Sequence, residues 1–291
     1  MKRRLTPEYA TASLREHGLL LPPIVDAFRS LIYHHHRTNP RPMPWRETAD
    51  PYRILVSEIM LQQTQVARVR EKYAEFLAAF PTVTALAAAP LPEVLTLWQG
   101  LGYNRRALYL KRCAEEVAST LDGHFPPSVA GLQALPGIGP YTARAVAAFA
   151  FGIGEPLIET NIHTVYLHFF YTGVADVGDT LLMPLIAATL DRGNPREWYY
   201  ALMDYGALLK QSHPNPGRRS SHHVQQSRFE GSNRQLRSRM LREIIKCPAG
   251  MTADYLQTHL KAEAAAIEQN LGSMVREGLL VEAGAVYRVA G

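Results

Sequence analysis

Apolar residues recur at helical spacing along most of the chain. The spacing predicts helices or helical turns over residues 23–37, 52–79, 82–88, 91–99, 104–121 and 128–134. Four more are predicted over 141–152, 161–173, 178–191 and 196–210. Pro51, Pro81, Pro92, Gly100, Pro126, Pro136 and Pro195 fall at or near the joints, where residues that break helices are expected. Strand-like alternation is absent until the end of the chain, so the bulk is predicted to be all-α. Three short helical patterns at 235–246, 251–260 and 263–277 come last, before Leu279–Val281, Gly284 and Val286–Val289, which predict a small hairpin. Helix-helix-helix-hairpin is the plan of a winged helix. The expected organisation is a helical domain over 1–232 and a small winged-helix-like domain over 233–291.

Composition narrows the class. Hydrophobic residues make up 47% and charged residues 20% of 291, which predicts a packed core. The formal net charge of +5 fits a polyanionic partner, though many proteins without one share it. The basic excess is concentrated: residues 211–246 hold eight Lys/Arg against two acids, within a stretch rich in Ser, His, Pro, Asn and Gln. Such a segment reads either as a solvated loop or as a contact to phosphates, with Arg218 and Arg219 as candidates. Two cysteines, Cys113 and Cys247, exclude a disulfide framework and any cluster held by several thiolates. The start Met-Lys-Arg-Arg is followed by no apolar run, and no stretch is long and apolar enough to span a membrane. A soluble cytoplasmic protein is expected, associated with the nucleoid if the source is bacterial.

Three segments carry chemistry. Leu135-Pro136-Gly137-Ile138-Gly139-Pro140-Tyr141-Thr142 stands between two helical patterns. Its glycines permit a tight turn, and the amides opening the next helix favour an anion such as a DNA phosphate. A plain structural turn has the same Gly-x-Gly, but the flanking helices favour a helix-hairpin-helix element that grips DNA without reading its sequence. In Tyr52–Val66, Glu58 has apolar neighbours on both sides. A carboxyl desolvated in this way stays protonated near neutral pH, as a general acid requires. A surface glutamate on an amphipathic helix would show the same periodicity. Gln62 and Gln63 follow it, either as an ordinary helix surface or as amides that fill the gap left by an extruded base. In Pro156–Ile162, Thr160 or Asn161 is expected to cap the next helix, with Glu159 beside the helix start, where the dipole favours its charged form. A helix-start acid without chemistry reads the same way.

Together these segments resemble the MutY adenine glycosylases of the helix-hairpin-helix superfamily. The resemblance runs from about Pro44 to Lys210. It rests on Pro44-Trp45-Arg46, Ser57–Val66, Leu97-Trp98-Gln99-Gly100-Leu101-Gly102-Tyr103 with Arg106-Ala107, Leu135–Thr142, and Met203-Asp204-Tyr205-Gly206-Ala207. It implies a two-lobed helical fold with the active site in the cleft between lobes, and hydrolysis of an N-glycosidic bond in double-stranded DNA carrying a mismatch or lesion. Glu58 matches the general acid that protonates a purine ring nitrogen. Glu159 falls where the family has the aspartate that stabilises the sugar oxocarbenium ion. Gln63 and Tyr103 match residues that wedge into the duplex, and Trp45, Arg46 and Leu61 match pocket walls. Tyr141 falls where the bifunctional relatives carry a Schiff-base lysine, which implies a monofunctional enzyme.

Four departures qualify the resemblance. Glu159 is one methylene longer than aspartate, enough to move a carboxylate by roughly an ångström. Tyr200 stands where the family usually has Gln or Glu to read the adenine edge, and a phenol lacks an amide's paired donor and acceptor. The position of the family's 4Fe–4S cluster reads Lys210-Gln211-Ser212-His213-Pro214 and onward to Arg219 without cysteine, so no cluster and no cofactor is expected. His213, His222 and His223 are read as polar loop residues and not as metal ligands. The Nudix-like domain that recognises 8-oxoguanine in the family is replaced by the winged-helix pattern. The leading expectation is a monomeric monofunctional glycosylase for adenine opposite guanine or 8-oxoguanine. The alternatives are a glycosylase for a mispaired or oxidised pyrimidine, and a non-catalytic lesion-binding protein.

Overall fold

The computed structural model describes residues 5–212 and 228–291. In chain order the helices are α1 (Pro7–His17), α2 (Pro22–Thr38), α3 (Pro51–Leu61), α4 (Val66–Ala79), α5 (Val83–Ala88), α6 (Leu91–Trp98) and α7 (Arg105–Thr120). They continue with α8 (Val129–Gln133), α9 (Pro140–Phe151), α10 (Thr160–Phe170), α11 (Asp179–Thr189) and α12 (Pro195–Ser212). A 3-10 turn, Pro44–Arg46, precedes α3. The C-terminal part holds α13 (Asn233–Lys246), β1 (Met251–Thr252), α14 (Ala253–Leu260), α15 (Ala264–Arg276), β2 (Leu280–Ala283) and β3 (Val286–Val289). The predominantly helical fold is as expected. No described helix is long and apolar enough to cross a membrane.

Among the helices, two differ from the sequence expectation. A single helix over 52–79 is in fact α3 and α4, separated at Gln62–Gln65, where Gln63 adopts φ +54°. Helix α1 has no counterpart in that expectation, although its signals are local. Thr6 Oγ1 accepts from the Tyr9 amide at 3.3 Å, Pro7 opens the helix, and Gly18 closes it in the left-handed region.

The chain divides into two compact units. The first comprises residues 1–51, 127–132 and 139–225. Its core centres on Phe28 of α2, whose ring meets Tyr166, Phe169 and Phe170 of α10 and Trp198 of α12 edge-on at 5.1–5.9 Å. Helix α12 approaches the start of α10 closely because position 206 is glycine. A Cβ there would overlap the Asn161 carbonyl.

The second unit comprises residues 52–126, 133–138 and 226–291. Helices α5 and α6 pack on α7, and Phe76 meets Phe80 at 5.0 Å and Trp98 at 5.9 Å. The C-terminal elements belong to this unit: α13 packs against α6, α14 and β3. The three strands form an antiparallel sheet in the order β1-β3-β2, with Met251 opposite Tyr287 and Leu280 opposite Val289. Strand β1 is too short to carry an alternating signal, which is why the sequence predicts only the hairpin.

Candidate active site

In the second unit, Glu58 lies in the most apolar stretch of α3. Tyr52 and Ile54–Met60 are all buried, and Glu58 itself is only 6% exposed. The surface-glutamate reading is therefore set aside. The helix stops three residues later, and another group takes the carbonyls at its end. Arg106 of α7 donates through Nη1 to the carbonyls of Ile59 (2.7 Å), Met60 (3.1 Å) and Gln62 (2.5 Å). Its Nη2 donates to Thr64 Oγ1 (3.1 Å) and to the carbonyls of Leu101 (2.9 Å) and Gly102 (3.1 Å). One guanidinium thus ties the end of α3 to the Leu101–Tyr103 loop. Burial pulls its pKa down to about 10, opposed by Tyr103, so it remains charged at neutral pH.

The two residues matched to duplex wedges sit on these tied segments. Gln63 and Tyr103 are both exposed, and both hold a left-handed backbone, at φ +54° and +49°. Left-handed non-glycine residues cost energy and persist where surrounding contacts impose them, as Arg106 does here. Gln62 and Leu61 beside them are half-buried.

In the first unit, Glu159 is itself the N-cap of α10, a correction to the expected cap at Thr160 or Asn161. Its Oε1 accepts from the amides of Asn161 (2.8 Å) and Ile162 (2.9 Å). Its Oε2 accepts from Thr160 Oγ1 and Asn161 Nδ2, each at 3.2 Å. The longer side chain can fold back onto the amides of its own helix, which leaves Thr160 as the first helical residue. Thr160 Oγ1 accepts in turn from Lys210 Nζ at 3.2 Å. Burial lowers the Lys210 pKa, and the Glu159 charge opposes that shift.

Of the pocket residues, Tyr200 lies on α12 and Arg46 is held against it. Arg196, Tyr200 and Asp204 recur every four residues and so share one face of this helix. Arg46 places its guanidinium 4.5 Å from the centroid of the Tyr200 ring, and the other face of that ring stacks on Phe149 at 4.5 Å. The fully buried Asp204 carboxylate lies 3.0 Å from Arg46 Nη1, 3.3 Å from Arg41 Nη1 and 2.8 Å from His36 Nδ1. Arg196 donates to the carbonyls of Arg46 (2.8 Å), Thr48 (2.5 Å) and Phe149 (2.9 Å). Trp45, in the 3-10 turn carrying Arg46, is buried. Sequence reasoning missed His36, Arg196 and the anchoring role of Asp204. The available signal was an acid at position 204 on an otherwise buried helix face.

The hairpin glycines differ in kind. Gly137, in the second unit, has φ +74°, and a Cβ there would overlap Tyr109. Gly139, in the first unit, is the N-cap of α9 with an extended backbone, and a Cβ there meets nothing within 4 Å. Tyr141 is half-buried in the first turn of α9. Arg218, Arg219, His213, His222 and His223 lie outside the described residues. A four-thiolate cluster does not fit the donors: Cys113 is buried in α7, and Cys247 caps the end of α13.

Residues 56–211 match the HhH-GPD superfamily of base excision DNA repair proteins. An adenine DNA glycosylase of Mycolicibacterium smegmatis is 35% identical over 268 residues, covering 85% of this chain and 89% of that protein. The human adenine DNA glycosylase is 38% identical over 198 residues, covering 64% of this chain but only 36% of its own length. Among solved structures, a thermostable thymine-DNA glycosylase aligns with a TM-score of 0.58 at 28% identity, over 66% of this chain and 90% of that one. An endonuclease III bound to DNA shares the fold, with a TM-score of 0.51 at 20% identity over 67% of this chain and 88% of that one. The chain belongs to the HhH-GPD superfamily of base excision DNA repair proteins, and within it to the MutY-like DNA N-glycosylases.

Proposed function

We propose that the enzyme removes adenine mispaired with guanine or 8-oxoguanine in duplex DNA, by hydrolysis and without cutting the strand. The observation that carries this reading is the burial of Glu58 in the apolar α3, inside the stretch that matches the HhH-GPD superfamily. Glu58 serves as the general acid. It gives its proton to a ring nitrogen of the purine, and the electrons of the N-glycosidic bond leave with the base. The Glu159 carboxylate, fixed by four hydrogen bonds, stabilises the positive charge on the sugar until water adds. Gln62, Gln63 and Tyr103, beside Leu61, occupy the gap in the duplex, and Trp45, Arg46 and Tyr200 line the base pocket. Tyr141 in place of a lysine supports monofunctional hydrolysis. The enzyme acts as a monomer and needs no iron–sulfur cluster, because two separated cysteines cannot supply four thiolates. The basic segment holding Arg218 and Arg219 contributes phosphate contacts.

A second reading is release of a pyrimidine mispaired with guanine. Tyr200, stacked on Phe149 with Arg46 over its ring, puts a phenol where the family usually has an amide. Labelled duplexes with adenine or thymine opposite guanine, and adenine opposite 8-oxoguanine, separate the two. Alkali-dependent breaks at adenine support the first, and breaks confined to thymine overturn it in favour of the second.

A further inference from the structure

A cavity of about 480 Å³ opens in the second unit, outside the residues assigned above. Arg105, Tyr109 and Arg112 of α7 form one side, and Ser273, Arg276 and Glu277 at the end of α15 form the other. The guanidinium carbons of Arg105 and Arg112 lie 5.6 and 5.7 Å from the centroid of the Tyr109 ring. Arg105 also donates to Tyr109 Oη at 3.4 Å. The one carboxylate in the lining, Glu277, accepts from Arg237 Nη2 at 2.6 Å and from Ser273 Oγ at 3.0 Å, and its charge also reaches Arg105. Arg105, Arg112 and Arg276 are exposed and form no ion pair among the described residues. The guanidinium of Arg112 lies over Gly278, where no side chain stands in its way.

Three arginines without an ion pair line this cleft, two of them over one aromatic ring, and make a site for an anion, since the arginine fork matches paired phosphate oxygens. The walls are charged and polar, unlike the mostly apolar lining expected around a small organic ligand or a flipped base. Tyr109 supplies the connection to DNA. Its side chain is the one against which Gly137 of the hairpin packs so closely that a Cβ would overlap it. We propose that this cleft takes a backbone phosphate of the DNA duplex, held jointly by α7 and the C-terminal helix α15. The inference rests on the DNA-repair reading, but its signature is binding and not base release.

The test measures the dissociation constant for a duplex carrying a tetrahydrofuran abasic analogue opposite guanine, across a potassium chloride series. The full chain is compared with Arg112→Ala, Arg276→Ala and the double variant. Arg15→Ala, an exposed arginine of α1, is the charge control. The double variant is expected to bind on the order of tenfold more weakly, and the slope of log K against log salt falls by about one for each phosphate that is no longer neutralised. A double variant with the same constant and slope as the control, at unchanged thermal midpoint, overturns the proposal. If the double variant is unstable, Arg276→Gln alone decides in the same way. Inorganic phosphate is tested in parallel. A thermal shift with phosphate that the double variant loses, while its DNA affinity stays at the control value, would mean a small-anion site and would also overturn the proposal. Absence of adenine release by the wild-type chain would contradict the proposed function but leave this binding measurement intact.

Discussion

The two acids sit in different settings, and single substitutions separate their proposed roles. Glu58 is buried, so Glu58→Gln preserves size but removes the proposed proton donor. Base release in single-turnover assays should fall by about 10²- to 10⁴-fold, with DNA affinity retained. Glu159 also caps α10, so its loss has two consequences. Glu159→Ala should lower stability by about 1 kcal/mol through the lost cap as well as abolish catalysis. Glu159→Asp keeps a good capping residue and restores the carboxylate of the family. It should leave the thermal midpoint unchanged and hold base release within about tenfold of wild type. A midpoint loss as large as that of the alanine variant would show that the extra methylene is required for the cap. Arg106 is the most heavily used side chain of the second unit, with six acceptors divided between its two terminal nitrogens. Lysine keeps the charge but not the planar fork. Arg106→Lys should cost about 2–4 kcal/mol in urea unfolding, because buried carbonyls lose their donor. Little of this was legible in the sequence. Glu58 could be picked out as an acid among apolar neighbours, but Arg106 and Asp204 act through partners distant in sequence, which no local pattern reveals.

At the level of elements, helix positions were readable because the apolar period is local, and their ends carry prolines and glycines. The exception is instructive. The sequence predicts one helix through Gln62–Gln65, four polar residues in a row, yet α3 stops at Leu61, where Arg106 donates to the carbonyls of Ile59, Met60 and Gln62. Gln63 and Tyr103, on the two segments that Arg106 ties, hold left-handed conformations at the surface. The hairpin glycines show the complementary case, where two identical residues in one motif face different constraints. Gly137→Ala should destabilise the fold by about 1–3 kcal/mol, from its backbone angle and the clash with Tyr109. Gly139→Ala meets no protein atom and should leave stability within about 0.5 kcal/mol, but weaken DNA binding where the backbone must approach a phosphate. Thermal denaturation beside duplex binding checks both, and equal stability losses in the two variants would contradict this division.

For the whole molecule, each compact unit carries one of the two acids, and the C-terminal helices join the unit that carries Glu58. A composition shift near residue 211 marks a change of character along the chain, but the packing of α13 on α6 joins residues far apart and could not be read from it. The absence of a thiolate set, by contrast, was plain from two cysteines. Prolonged iron chelation should therefore change neither thermal midpoint nor base release, and a loss of both would reveal a metal centre built from other ligands. The central claim is adenine removal that depends on a buried acid. The most direct measurement is single-turnover base release from duplexes with adenine opposite 8-oxoguanine or guanine, by the wild-type chain and by Glu58→Gln, developed with and without alkali. Breaks at adenine that need alkali and vanish in the variant are the predicted result. Breaks that persist in Glu58→Gln, or that fall only at a pyrimidine in the companion duplexes, would contradict it.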